Sequence, residues 1–474
     1  MAEVTVVGGG LAGCEAAWQL AERGHEVTLV EMRPVRGTPA HQTDRLAELV
    51  CTNSFKGEDT GNAHGLLKAE MRALGSVLLA SADASRVPAG TALAVDREVF
   101  ARRMTDLMES HPRITLERRE VTGLPAGPAV IATGPLTSDA LTAEIRDLLG
   151  DDGLAFYDSI APIIAADSVN MDVAWLGSRW GKGEGDDYLN CPMDRAQYER
   201  FIAELQAAEA YPGYDWEEIP YFEGCLPVEV MAERGIETLR YGPMRPIGLP
   251  DPRTGETPHA VVQLRREDRQ AQMWNIVGFQ TRLRTGEQRR IFRMIPGLED
   301  AEFLRMGSIH RNTYLNFPAR LGTYGAPEIR PDLVFAGQLT GVEGYTESAA
   351  SGILAGINLH RLVSGLRPTV PPPTTMLGGL YRYLREADPD DFQPMNSNFG
   401  LVDPLRQRVR KKQEKRQKQA ARAQADLASW IAEQGMEPVG VPSPSAPSPS
   451  DPPPSDPPPR SDPPRSDSPS PSER

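Results

Sequence analysis

Gly8, Gly10 and Gly13 stand in the spacing G-x-G-x-x-G, directly after the apolar run Val4-Thr5-Val6-Val7. At a strand–turn–helix junction this spacing holds the pyrophosphate of a dinucleotide. The first glycine permits the tight turn, the second lets the backbone approach the phosphates, and the third lets helix and strand pack closely. Free N–H groups at the start of the helix then face the anion. A helical pattern runs from Cys14 to Arg23, and a second strand, Glu26 to Val30, delivers Glu31. A carboxylate there accepts hydrogen bonds from a ribose. Gly8, Gly9, Gly10, Leu11, Ala12, Gly13 and Glu31 are therefore the expected contacts of an adenine dinucleotide. A glycine turn with no functional meaning is the competing reading; the order strand, turn, helix, strand, acid argues against it.

The other chemistry-bearing residues are cysteines. The chain has four, Cys14, Cys51, Cys191 and Cys225, with no CxxC pair and no His/Cys cluster. That pattern argues against a metal site and a disulfide framework, and fits a reducing cytoplasm. Cys14 lies within the first helix and reads as core. Cys191, in Tyr188-Leu189-Asn190-Cys191-Pro192, reads as structural. Cys51 sits in Leu49-Val50-Cys51-Thr52-Asn53-Ser54-Phe55-Lys56-Gly57, among small polar groups with Lys56 close by, a setting that favours a thiolate. Cys225 lies between Gly224 and Pro227, on an expected loop. Chemistry alone leaves both open, because a free cysteine is more often inert than catalytic.

These residues need elements to position them. At 474 residues the chain has room for two or three domains. The run Ala129 to Gly134 reads as a short buried strand, and Leu333 to Gln338 as another. The second leads through Gly341–Tyr345 into a small-residue helix opened by Glu347 to Gly352. We expect a second contact to the same cofactor from Gly337, Gln338, Gly341, Glu343 and Gly344. A plain strand-to-helix turn with small residues for close packing is the alternative. Residues 1–164 and 325–440 would then build one nucleotide domain, with 165–324 as an insertion. Pro371-Pro372-Pro373 marks a stiff connector. Residues 441–474, almost entirely Pro, Ser, Asp and Arg, cannot bury enough apolar surface to fold and read as a disordered tail.

The formal net charge is −14, which by itself argues against nucleic acid. Two stretches run the other way. A polar helix is expected over Leu401–Trp430, and between Val402 and Arg422 it carries nine Lys/Arg against two acids. Between Gln263 and Arg293 there are eight arginines against three acids. Solvated faces explain such stretches; so does a surface for a phosphate backbone, with Arg265, Arg266, Lys411 and Lys412 as candidate contacts. No stretch of about eighteen apolar residues exists, so no membrane helix is expected. The start of the chain reads as a strand and turn, not a signal peptide.

Taken together, VVGGGLAGCEAA, ELVCTNSFKG, FEGCLPVE, GPMRPIGL, IVGFQTRL, RMIPGLE, HRNTY, AGQLTGVEGYTESAASG and FQPMNSNFG make the chain resemble the folate- and FAD-dependent tRNA (uracil-5-)-methyltransferases (TrmFO). The GidA/MnmG flavoproteins that modify wobble uridines are relatives of the same fold. The resemblance covers about residues 1 to 430; the Pro/Ser tail has no counterpart in it. It implies an α/β fold, an FAD-binding two-dinucleotide-binding Rossmann domain of the glutathione-reductase kind with an inserted α+β domain. It implies methylation of C5 of the T-loop uridine, position 54, of tRNA, with carbon from 5,10-methylenetetrahydrofolate, FAD as cofactor and NAD(P)H as reductant. Cys51 and Cys225 match the family's two functional cysteines. Arg282 and Arg284 are expected near the anionic folate tail, and His310 and Asn312 near the pterin. A cytoplasmic monomer or homodimer is expected. Two alternatives stand beside this: a flavin oxidoreductase for a small molecule, which the net charge favours, and a wobble-uridine-modifying flavoprotein subunit.

Overall fold

Val4, Val6 and Val7 are buried because their strand, Glu3–Val7, lies in the middle of a parallel sheet covered on both faces. The sheet has five strands, in the order Leu333–Phe335, Ala129–Ile131, Glu3–Val7, Glu26–Glu31, Ile114–Arg118. Leu333 pairs with Ala129, so the late apolar run completes a sheet begun by the first residues. The computed structural model describes residues 1–150, 154–183, 185–211, 226–268, 270–407 and 409–443, and for 154–160, 308–312 and 391 the backbone alone.

The glycine-turn helix, Leu11–Glu22, is buried along almost its whole length. Its partner is the helix Tyr345–Val363, and the two cross at small residues. A Cβ on Gly352 would lie 2.1 Å from the Ala12 carbonyl oxygen, and one on Gly356 2.9 Å from that of Ala16. Without side chains there, the backbones touch. The crossing sets the start of the second helix beside the first glycine turn.

Residues 163–305 form a second sheet of six strands, in the order Trp175–Leu176, Tyr188–Met193, Ala260–Arg266, Met273–Ile276, Ile163–Ala165, Phe303–Arg305. Its pairings are antiparallel. The helices Arg195–Ala207 and Thr285–Phe292 cover it, and Tyr198, Phe201, Phe279 and Phe292 fill a core separate from that of the parallel sheet. An antiparallel ribbon, Leu154–Ile160 with Ser308–Tyr314, leads in and out of this unit. A small sheet of Ser54–Gly57, Ala92–Val95 and Arg86–Val87 supports the segment after Cys51.

The last helix is shorter than expected. It spans Lys412–Glu433 rather than starting at Leu401. Pro404 lacks an N–H and disfavours a helical residue before it. The segment instead bonds outward: Asp403 N–H donates to Pro373 O, and Arg382 donates to Leu401 O. Ala420, Ala423, Leu427 and Trp430 bury one stripe of the helix against the parallel-sheet unit and leave the basic residues in solvent. Among the described residues, no helix is long and apolar enough to cross a membrane.

The crossing makes a prediction. Gly352→Ala forces backbone apart at a contact with no flexible side chain to yield. We expect a loss of about 1–3 kcal/mol of stability, read from the midpoint of urea unfolding. An unchanged midpoint would mean that the helices do not touch there.

Candidate functional site

A groove of about 1040 Å³ runs along the carboxyl ends of the parallel strands. Gly8, Gly10 and Ala12 form its floor, Glu31 and Arg33 one end, and Gly337, Gln338, Tyr345 and Ser348 the other. The glycines divide the work as the spacing requires. Gly8 has φ +104°, and a Cβ there would lie 2.5 Å from Ala132 O. A Cβ on Gly13 would lie 1.8 Å from Gly8 O. Gly10 differs, with nothing within 4 Å of the place a Cβ would take. It lines the groove, and its bare backbone keeps that space open to a ligand. The helix behind it has no side-chain cap, so its first N–H groups have no such partner and face the same space. At the other end Gly344, φ +114°, begins the Tyr345–Val363 helix, again without a side-chain cap. Two helix starts therefore meet one groove, a fit for a ligand carrying phosphates.

Glu31 is more occupied than expected. Its carboxylate accepts from Gly9 N–H at 2.9 Å, from Arg33 N–H at 3.0 Å and from Arg33 Nε at 2.9 Å. Burial pushes its pKa up, but the Arg33 guanidinium and these bonds outweigh burial and hold it below the ordinary carboxylate value. A carboxylate has about four acceptor positions, so it keeps room for a ribose hydroxyl. At the far end Gln338 Nε2 donates to Glu343 at 2.6 Å, and Gly337 N–H to Ser351 Oγ at 2.7 Å. Glu343 is itself buried.

Tyr345 joins this groove to Cys51. It lines the groove, and its hydroxyl oxygen accepts from Cys51 N–H at 2.7 Å and Thr52 N–H at 3.2 Å. Arg97 donates to Leu49 O at 2.6 Å and Cys51 O at 3.3 Å, and forms an ion pair with buried Glu267. Burial works against the Arg97 charge, and Glu267 more than offsets it. Arg265 donates to Asn53 Oδ1 at 2.8 Å and to Thr52 Oγ1 at 2.6 Å, while Asn53 Nδ2 donates to Val95 O and Arg266 O. The antiparallel unit thus grips the loop on which Cys51 sits. Lys56, expected beside the thiol, is exposed, and its charge acts on Glu347. The cations touching the Cys51 segment are Arg97 and Arg265.

Glu347, on the first turn of the second helix, is almost fully buried. His64 Nδ1 lies 3.2 Å from its Oε1, and Ser397 donates to it through N–H at 2.9 Å and Oγ at 2.7 Å. Burial raises its pKa, but His64, Lys56 and Ser397 prevail and bring it down to about 2.

Cys225 is outside the described residues. His310 and Asn312 sit on the ribbon, paired with Asp158 and Phe156. Arg282 faces Glu229 at 3.8 Å, and Arg284 faces Glu209 at 3.2 Å and the Tyr211 ring at 5.8 Å. Arg265, expected on a surface for nucleic acid, is buried, because it is spent on the Thr52–Asn53 contact. Arg266 packs over Trp274 and faces Asp186 at 3.7 Å. Lys411 and Lys412 are exposed, with no ion-pair partner among the described residues. Cys14 and Cys191 are buried, and burial pushes both thiols up. The turn Gly341–Glu347 was expected near the flavin, but the bond from Tyr345 to the Cys51 loop, the contacts of Arg97 and Asn53 and the His64–Glu347 pair were not foreseen. Tyr345 follows directly on the Gly344 turn, and Asn53 is two residues from Cys51, but their partners are distant in sequence.

Residues 3–367 match the family of "Glucose inhibited division protein A". The chain is 58% identical over 430 residues to methylenetetrahydrofolate--tRNA-(uracil-5-)-methyltransferase TrmFO of Geobacter sulfurreducens, covering 90% of this chain and 99% of that protein. The protein of the same name from Myxococcus xanthus is 55% identical over 444 residues, covering 93% and 97%. Among solved structures, GidA of Aquifex aeolicus in its form I crystal aligns with a TM-score of 0.66 and 18% identity, over 91% of this chain and 76% of that one. That last likeness carries the fold.

The Glu347 cluster predicts a pH dependence. The folded carboxyl titrates at about 2 against an ordinary 4.5. Its contribution, on the order of 3 kcal/mol, is complete above pH 4.5 and is lost as pH falls from 4.5 toward 2. In urea unfolding between pH 5 and 3, Glu347→Gln should lose less stability than the wild type over the same interval. Parallel curves would show that Glu347 is not held ionised.

Proposed function

The chain belongs to the glucose inhibited division protein A family, within its TrmFO branch, and on that premise we propose that it methylates C5 of the T-loop uridine, position 54, of tRNA. The carbon comes from 5,10-methylenetetrahydrofolate, with FAD as cofactor and NAD(P)H as reductant. The observation that carries the reading is Tyr345. One residue lines the dinucleotide groove and holds the backbone of a cysteine loop, which supports a cofactor in the groove and the Cys51 thiol acting together. A small-molecule flavin oxidoreductase needs no such loop, and relatives this similar along nine-tenths of the chain carry the methyltransferase name.

Gly8, Gly9, Gly10, Leu11, Ala12, Gly13 and Glu31 would hold the adenosine and pyrophosphate half of FAD. Gly337, Gln338, Gly341, Glu343 and Gly344 would hold the other half. Bound FAD supplies the reducing electrons that turn a transferred methylene into a methyl group. The uridine must leave its stack to reach the site. Uracil C5 is a poor nucleophile. We assign Cys51 as the thiol nearest the chemistry and Cys225 as its partner. The thiolate of one adds to C6, and C5 becomes enolate-like and attacks the methylene carbon. The other takes the C5 proton as the methylene carbon's bond to its carrier nitrogen breaks, leaving an exocyclic methylene at C5; a hydride equivalent drawn ultimately from NAD(P)H adds to that methylene to make the methyl group, and the first thiolate leaves C6 as the ring double bond returns. The Tyr345 and Arg97 contacts hold the Cys51 backbone through both steps. His310 and Asn312 on the ribbon are the proposed pterin contacts. Of the two folate-tail candidates, Arg284 is half exposed and Arg282 is turned to Glu229. A cytoplasmic location accompanies this reading.

The chain must also hold a polyanion. Among the described residues, exposed cations with no ion-pair partner include Lys411, Lys412 and Lys415, at the start of the last helix. Cations there oppose the helix dipole, and a phosphate would relieve the conflict.

Three experiments test this. Purified protein with unmodified tRNA, methylenetetrahydrofolate and NADPH should yield 5-methyluridine on nucleoside analysis. Cys51→Ala and Cys225→Ala should each lose methyl transfer by at least about a hundredfold while remaining yellow; full activity in both would sink the thiol mechanism. Lys411→Gln with Lys412→Gln should weaken tRNA binding and reduce the slope of log Kd against log salt by about 1–2. An unchanged slope would put the phosphates elsewhere.

A further inference from the structure

Trp180 is a large apolar ring that the fold holds out in solvent. It is 61% exposed and has φ +57°, a left-handed conformation that is a genuine outlier for a bulky residue. The surroundings enforce it. Trp180 N–H donates to Gly248 O at 2.9 Å, and a Cβ on Gly248 would lie 2.6 Å from the ring, so the indole rests against bare backbone. Backbone strain kept at an exposed aromatic suits a ligand contact better than it suits stability.

The charges around the ring have one sign. Lys182 Nζ lies 5.7 Å from the ring centre and the Arg179 guanidinium 6.0 Å. Arg179 donates to the carbonyls of Arg245 and Ile247. Arg245 is exposed, and its charge, after burial, lowers the Arg179 pKa. Among the described residues, none of Arg179, Lys182 and Arg245 has an ion-pair partner. The loop's described acids are engaged: Asp187 is buried and accepts from Ser178, and Asp186 faces Arg266.

This ring is tied to the reaction site. Gly183, in the same loop, packs on Gly90, and Tyr188 donates to Ala89 O at 3.1 Å. Tyr188 pairs with Arg265, which bonds Thr52 beside Cys51. From Gly90 the chain runs along the strand Ala92–Val95 to the Asn53 contact, on the order of 15 Å.

We propose that Trp180, with Lys182, Arg179 and Arg245, is a stacking platform for an unstacked base of the tRNA substrate next to the uridine that enters the site. An aromatic face with cations at its rim accepts any base by stacking and the adjoining phosphates by charge. The assignment of tRNA as partner rests on the proposed function.

The test uses full-length FAD-loaded protein. Dissociation constants for unmodified tRNA are measured by filter binding for the wild type, Trp180→Ala, Trp180→Phe and Trp180→Gly. Methylation is measured separately. Trp180→Ala and Trp180→Gly should weaken binding about tenfold, and Trp180→Phe about twofold or less. NADPH-driven reduction of the flavin without tRNA should be unchanged in all. Glycine suits a positive φ, so Trp180→Gly should be at least as stable as the wild type, which separates a binding defect from misfolding. Unchanged tRNA affinity in both the Ala and Gly variants overturns the platform. So does a wild-type dimer that Trp180→Ala dissociates, which would give the ring to a second copy. Absence of 5-methyluridine from the wild type would overturn the functional reading, while the dissociation constants still decide the platform.

Discussion

The molecule is organised around the contact between the Ala12 carbonyl and the bare Cα of Gly352. It brings two helices together at backbone distance and sets both of their uncapped starts on one groove. Any side chain at the crossing would push the helix starts apart, and the floor of the groove with them. The parallel sheet serves this contact. Leu333–Phe335 returns to pair beside Ala129–Ile131, so residues about two hundred positions apart share one surface. Tyr345 then carries the geometry across to the Cys51 loop through two backbone N–H groups.

The grip on that loop comes from the opposite side. Arg265 and Glu267 belong to the antiparallel unit, and Thr52, Asn53 and Arg97 to the other. Partly and fully buried charges of this kind add little net stability, because desolvation offsets attraction. What they contribute is position: removing either partner would leave a charge without its counter-charge or donors. The sequence expectation that Arg265 meets nucleic acid fails for this reason. A cation in a basic stretch was needed inside, at the seam between the two units.

How far the residues were readable follows from the range of the contacts involved. Glycine spacing is local, so the first turn, its helix, the Glu31 strand and the buried runs at 129 and 333 were legible. That both ends of the chain contribute to one nucleotide domain was expected from the sequence, but the pairing of these runs in one sheet is a long-range contact seen only in the fold. Cys51 stood out through its polar neighbours. Lys56 misled, since adjacency in sequence says nothing of direction: its backbone is left-handed, φ +63°, and its side chain is exposed. Tyr345, Arg97 and His64 could not be read, because each matters through a partner 40 to 300 residues away. The helix start at Lys412 was misplaced because Pro404 was outweighed by the count of charged residues around it.

Net charge misleads in the same way. The chain carries −14 overall, yet four of the eight arginines between 263 and 293 face carboxylates: Arg266 faces Asp186, Arg282 Glu229, Arg284 Glu209, and Arg290 both Glu287 and Glu204. Pairing removes them from the account a polyanion would see. Among the described residues, the exposed cations with no ion-pair partner include those at the start of the last helix and at the rim of Trp180. Screening limits each exposed charge to about 8–10 Å at physiological salt. A phosphate chain passing over those places therefore meets local positive potential, and the acids on distant surfaces scarcely reach it.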